Sequence, residues 1–138
     1  MNPDQITLVQ TTWQKVLPIQ NAAAGLFYGR LFELAPETKP LFRGDMTEQG
    51  KKLMAMINVA VSGLDKLDVI LPAVQEMGRR HAGYGVQDAH YAKVGEALLW
   101  TLAEGLGAYF TPDVREAWAT AYDVLAGAMQ EASRHAVA

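Results

Sequence analysis

His81 and His90 lie nine positions apart in the stretch GRRHAGYGVQDAHY, and His135 is the only other histidine in the 138-residue chain. No cysteine is present, which removes disulfides, thiolate metal sites, cysteine nucleophiles and covalent haem attachment through CxxCH. There is no HExxH and no pair of Glu-x-x-His motifs, the spacings that let several side chains share a zinc or di-iron site. What remains is one imidazole acting alone. His81 follows Leu71, Val74 and Gly78 at intervals of three, four and three residues, so on a helix it shares their apolar face. A lone histidine there is either a hydrogen-bonded core residue or an axial ligand, since a helical bundle can hold haem iron through a single protein atom. His90 opens the following helix and reads as a first-turn residue near the surface.

Two further polar residues sit among apolar neighbours. Tyr28 stands beside Phe27, one turn before Leu31 and Phe32, and Gln49 precedes Leu53 by four residues and Met56 by seven. A buried phenol or amide without a partner costs on the order of 1 to 3 kcal/mol, so each needs a hydrogen-bonding mate or a ligand. A position on the rim at a helix end explains either residue equally well. Trp13, Trp118 and Tyr122 read as packing residues, and Lys51 and Lys52 as a solvated face.

The elements that must position these groups are all helices. Asn2 caps and Pro3 opens a first helix in which Ile6, Val9, Trp13 and Val16 recur until Pro18. A second runs from about residue 20 to 34 and stops before Pro36. A tight helical turn follows, then an amphipathic helix over about 47–62. The next covers about 69–82, starting near Pro72, and the last two cover about 88–106, with Asp88 as cap, and 111–135, opened by Thr-Pro-Asp. No strand pattern, GxGxxG or GxxxxGK[ST] is present, so the fold class is all-α and a nucleotide-binding α/β domain is excluded.

Half of the residues are hydrophobic, enough for one core, and the expectation is a single domain over 1–138. A net charge of −3 without a basic stripe argues against nucleic acid and membrane partners. The N-terminal stretch has no signal-peptide pattern and no window approaches the roughly 18 to 20 apolar residues that span a bilayer, so a cytoplasmic protein is expected.

The stretches LFYGRLFELAPETKPLF, KKLMAMINVAV, GRRHAGYGV, HYAKVGEALL and FTPDVREAWATAYDVLAGAM together resemble the bacterial single-domain globins, over essentially the whole of residues 13–129. Neuroglobins and the globin domain of flavohaemoglobins are similar as well. The resemblance implies a three-on-three helical sandwich around non-covalently held haem b. It makes His81 the iron ligand, Phe42 the ring on the haem face, and Pro36 the opening of the short third helix. Gln49, Leu53 and Tyr28 fall on the side where a gas binds. Lys52 is placed at a haem propionate, with Arg80 and Tyr84 near the porphyrin edge, and Val86, Tyr91, Val94 and Leu98 around His81.

The chemistry agrees with that placement. Dioxygen draws electron density from ferrous iron, and its outer atom then rewards donors such as the Tyr28 hydroxyl and Gln49 amide by roughly 1.5 to 3 kcal/mol each. The last helix carries Ser133 where flavohaemoglobins have a glutamate that strengthens the proximal histidine; Glu131 lies about 200° around the helix from it. The implied function is reversible dioxygen binding for carriage, storage or scavenging, with nitric oxide and carbon monoxide as further ligands and no catalytic residue assigned. Two alternatives stay open: a nitric oxide dioxygenase served by an external reductase, and a haem-free globin-like module for protein interaction.

Overall fold

The computed structural model describes residues 1–42, 44–83 and 86–136. Its α-helices are α1 (Pro3–Val16), α2 (Gln20–Leu34), α3 (Met46–Ser62), α4 (Leu67–Gly83), α5 (Asp88–Leu106) and α6 (Pro112–Ala136), with short 3-10 turns between several of them. Two layers of three face each other, α1, α3 and α4 against α2, α5 and α6. The α4–α6 and α2–α5 pairings are the most extensive, while α1 lies on α6 and α3 crosses α2.

Local chemistry explains most boundaries. Asn2 Oδ1 accepts the Gln5 N–H at 2.8 Å and Gln5 Oε1 accepts the Asn2 N–H at 3.2 Å, a reciprocal cap on α1. Asp45 caps α3 by accepting the Thr47 N–H at 2.8 Å. Pro36 opens the six-residue 3-10 turn Pro36–Leu41 that ends α2. Thr111 Oγ1 accepts the Val114 N–H at 3.3 Å and Pro112 is the first residue of α6.

Two boundaries depart from the sequence-based expectation. α4 begins at Leu67, not near Pro72, which lies inside the helix. Proline there removes one main-chain bond to the Asp68 carbonyl. Both residues are exposed, so water can satisfy that carbonyl. The cap of α5 is Gln87 rather than Asp88. The Asp88 carboxylate instead meets the Arg134 guanidinium at 3.2 Å, tying the start of α5 to the end of α6.

The main core joins Val9, Trp13 and Val16 of α1 to Val114, Ala117, Trp118 and Ala121 of α6, with Met54, Val61 and Leu64 closing it from the side. A second cluster, Phe27, Tyr28, Leu31, Ala35 and Ala97, joins α2 to α5. Where α4 crosses α6 the backbones meet, since a Cβ on Gly78 would run into the Met129 main chain. Glycine at 78 is therefore what brings α4 down onto α6, one turn before His81.

Candidate functional site

Between these clusters lies a cavity of about 280 Å³ whose wall is almost wholly apolar. α4 contributes His81 from its last turn. Nδ1 of His81 lies 2.6 Å from the Met77 carbonyl oxygen. A carbonyl can only accept, so Nδ1 carries the proton and Nε2 keeps its lone pair. His81 lines the cavity, and the tautomer leaves the nitrogen that can bind a metal as the ring's second one.

Tyr28 comes from α2 and is only 7% exposed. Its ring is held edge-on by Phe27 and Phe42, each at a centroid distance of 5.2 Å, and stacked on Phe32 at 6.0 Å. Packing on three aromatic neighbours fixes where the hydroxyl points. Burial pushes the Tyr28 phenol above the ordinary tyrosine value, partly offset by hydrogen bonding from the Gln49 side chain of α3. The phenol therefore stays protonated at neutral pH and remains a donor. Gln49 and Leu53 line the same cavity from α3, one helical turn apart, and Lys52 joins them with an exposed ammonium.

The α5 wall is formed by Tyr91, Val94 and Leu98, with Val86 just before the helix. Tyr91 is 8% exposed, and its hydroxyl has no hydrogen-bond partner among the described residues. Burial raises its pKa, and the nearby Asp88 carboxylate adds to the rise. Tyr122 of α6 donates its hydroxyl to the Tyr91 carbonyl at 2.6 Å. Its ring lies against Gly95, where a Cβ would come within 2.9 Å of the ring edge. Glycine thus lets the phenol reach across α5, and burial holds it protonated.

The residues singled out in the sequence mostly converge. Tyr28, Phe42, Gln49, Lys52, Leu53, His81, Val86, Tyr91, Val94 and Leu98 all line this one cavity. Arg80 does not, since its side chain is 67% exposed and pairs with Glu76 one turn back at 3.6 Å. Tyr84 lies outside the described residues. Ser133 donates its hydroxyl to the Gln130 carbonyl at 2.8 Å, and Glu131 is exposed on the outer face of α6.

His90 differs most from its sequence reading. It is 9% exposed and lines the cavity. A first-turn position suggested the surface, but the start of α5 is packed inward, and the one sequence signal was that Tyr91 beside it is also aromatic and polar. Trp118, Tyr122, Met77 and Met129 also line the cavity, so the two aromatic residues read as packing border its space as well.

The His81 imidazole with a free Nε2, an apolar chamber and the Lys52 cation on its wall suit a largely apolar, metal-bearing group with acidic side chains. The unpartnered Tyr91 hydroxyl adds a polar atom in want of a mate. Among the described residues no three His, Cys, Asp or Glu side chains gather as a metal cluster, and no helix is long and apolar enough to cross a membrane.

Comparison with known proteins agrees. Residues 25–129 match the family model described as Globin. The chain is 33% identical over 128 residues to a flavohemoprotein of Bacillus subtilis (strain 168), a match covering 89% of this chain but 32% of that protein. It is 32% identical over 136 residues to neuroglobin of Danio rerio, covering 88% of this chain and 86% of the relative. Among solved structures, a bacterial globin from Campylobacter jejuni superposes with a TM-score of 0.85 at 24% identity, covering 97% of each chain. An engineered carbene transferase, derived from a proposed nitric oxide dioxygenase of Rhodothermus marinus, superposes with a TM-score of 0.88 at 28% identity, covering 98% of this chain and 94% of that one. With the family model, a near full-length relative and the helical layers in agreement, the chain belongs to the globin family.

Proposed function

We propose that this globin, read as one unit over residues 1–138, holds haem b without covalent attachment and takes up dioxygen reversibly. The observation that carries the reading is the His81 tautomer: Nδ1–H tied to the Met77 carbonyl and Nε2 left as a lone pair in an apolar cavity that also holds the Tyr28 and Gln49 side chains. Haem, when bound, supplies an iron that coordinates diatomic gases. His81 would hold that iron, Phe42, Leu53, Val86, Tyr91 and Val94 would enclose the macrocycle, and Lys52 would meet an acidic side chain at its edge. Tyr28 and Gln49 then present an O–H and an N–H in a water-poor space, where a polarised gas such as dioxygen gains more than carbon monoxide, which takes on less charge. Nitric oxide is admitted by the same donors. The lack of cysteine suits a reducing compartment such as the cytoplasm.

The absorption spectrum of the reduced protein, with and without carbon monoxide, tests this. A Soret band that shifts with carbon monoxide is expected, without the bis-imidazole pattern, because an amide at residue 49 is a poor iron ligand. The band should vanish in His81→Ala. A colourless wild-type protein would overturn the reading and favour a haem-free interaction module.

A second reading, nitric oxide dioxygenase with an external reductase, draws on the names of two relatives. The chain spans 32% of the flavohemoprotein, Ser133 bonds to its own helix, and among the described residues no acidic side chain of α6 is hydrogen-bonded to His81. Multiple turnovers of nitric oxide with a cellular reductant would favour this second reading; a single turnover would favour the first.

A further inference from the structure

Three thioethers open onto the cavity, and the proposed function uses none of them. The chain holds six methionines and no cysteine. Met54 is 4% exposed and packed in the main core, whereas Met46, the first residue of α3, is 36% exposed. Met56, Met77 and Met129 line the cavity instead. Met56 follows Gln49 by seven residues and Leu53 by three, the spacing of one helical face, and all three border the same space from α3. Met77 belongs to the α4 wall, one turn before His81, and its carbonyl accepts the Nδ1–H of that imidazole. The two sulfurs therefore sit with different partners: Met56 shares a wall with the Gln49 donor, and Met77 shares one with the iron-binding ring.

A thioether takes an oxygen atom from peroxide to become a sulfoxide, and in this chain no thiol competes for the oxidant. Exposure alone would direct that oxidation to Met46. An iron-bearing macrocycle held by His81 changes the order, because peroxide would be activated on the face of the ring away from the imidazole. Met56, on the wall of Gln49, borders that side; Met77, on the helix of His81, would be screened by the ring. We propose that Met56 is a modification site: in the haem-loaded protein, hydrogen peroxide oxidises it to the sulfoxide ahead of every other methionine. This rests on the haem reading above. In the reaction the O–O bond breaks, one oxygen forms the S=O bond with two electrons from sulfur, and the other leaves as water with both protons. The product is a polar, chiral side chain in an apolar wall.

The test compares the wild-type chain loaded with iron protoporphyrin and with zinc protoporphyrin, which fills the same space without a redox-active metal. Each is treated in the dark with a small excess of isotopically labelled hydrogen peroxide and digested. Fragmentation mass spectrometry then reads the oxygen gained at each methionine separately, so that Met54 and Met56 are told apart. In the iron form the leading sulfoxide should be Met56, carrying the label, with Met77 and Met54 spared. In the zinc form the lead should shift to the exposed Met46. Met77 or Met54 oxidised as fast as Met56, Met56 left unlabelled, or one methionine leading in both forms would each overturn the site. The Soret band of the loaded protein shows that the haem reading survives any of those results. A chain that takes up neither metalloporphyrin overturns the haem reading itself.

Discussion

The α1–α6 core and the cavity beside it are built from the same materials and end in opposite states. In the core, Trp13 and Trp118 are 1% and 2% exposed and their rings lie 6.1 Å apart. Their polar atoms are matched inside the chain: Trp13 donates to Asn58 Oδ1 and Trp118 to Thr12 Oγ1, both at 2.9 Å, and Thr12 in turn donates to the Leu8 carbonyl at 2.7 Å. In the cavity, Tyr28, His90 and Tyr91 are buried nearly as deeply. The Tyr28 hydroxyl shares a hydrogen bond with Gln49 and His90 Nδ1 accepts the Gln87 N–H, but the Tyr91 hydroxyl has no partner among the described residues. The α1–α6 core closes its own hydrogen bonds, whereas the cavity leaves one buried hydroxyl open. Helical periodicity puts Trp13 and Tyr28 alike on inward faces and cannot separate the two regions.

The contrast breaks most visibly at Trp118. Trp118→Ala should cost about 3 to 5 kcal/mol of stability in urea unfolding, because it empties the centre of the core. Thr12→Val keeps the volume but strands the Trp118 N–H, and the same measurement should give a loss of about 1 to 3 kcal/mol. Tyr91→Phe removes a hydroxyl that has no partner, so the haem-free protein should unfold within roughly 0.5 kcal/mol of wild type or be slightly more stable. A loss as large as that of Thr12→Val would mean that the Tyr91 hydroxyl is matched within the chain, and the distinction between the two regions would fall.

Much of the fold was legible because caps and apolar spacing coincide. Asn2 with Pro3, and Thr111 with Pro112, mark helix starts through the same orphan main-chain groups that they satisfy in the structure. Pro72 misled because proline is read as a start, whereas an exposed second turn tolerates it. Gln87 was hidden because glutamine is not a favoured cap; its role depends on His90 accepting its N–H. That Tyr28, Gln49 and His81 turn inward is legible because polar residues on apolar faces stand out, and all three line the cavity. Arg80 was placed at the porphyrin edge, but Glu76 one turn earlier pairs with it. The burial of His90 could not be read at all, since a first-turn residue faces inward only if the preceding corner directs it there.

The contact of α4 on α6 at Gly78 bears on how this protein tolerates change. Side chains buffer most helix crossings, so exchanging one for another shifts the helices. At Gly78 main chain rests on main chain, and His81 follows three residues later. Drift in the side chains of α6 that spares the Met129 backbone would leave the height of the imidazole unaltered. The site is thus insulated from the mutational history of the core that supports it, and the vulnerability is concentrated in a single missing methyl group.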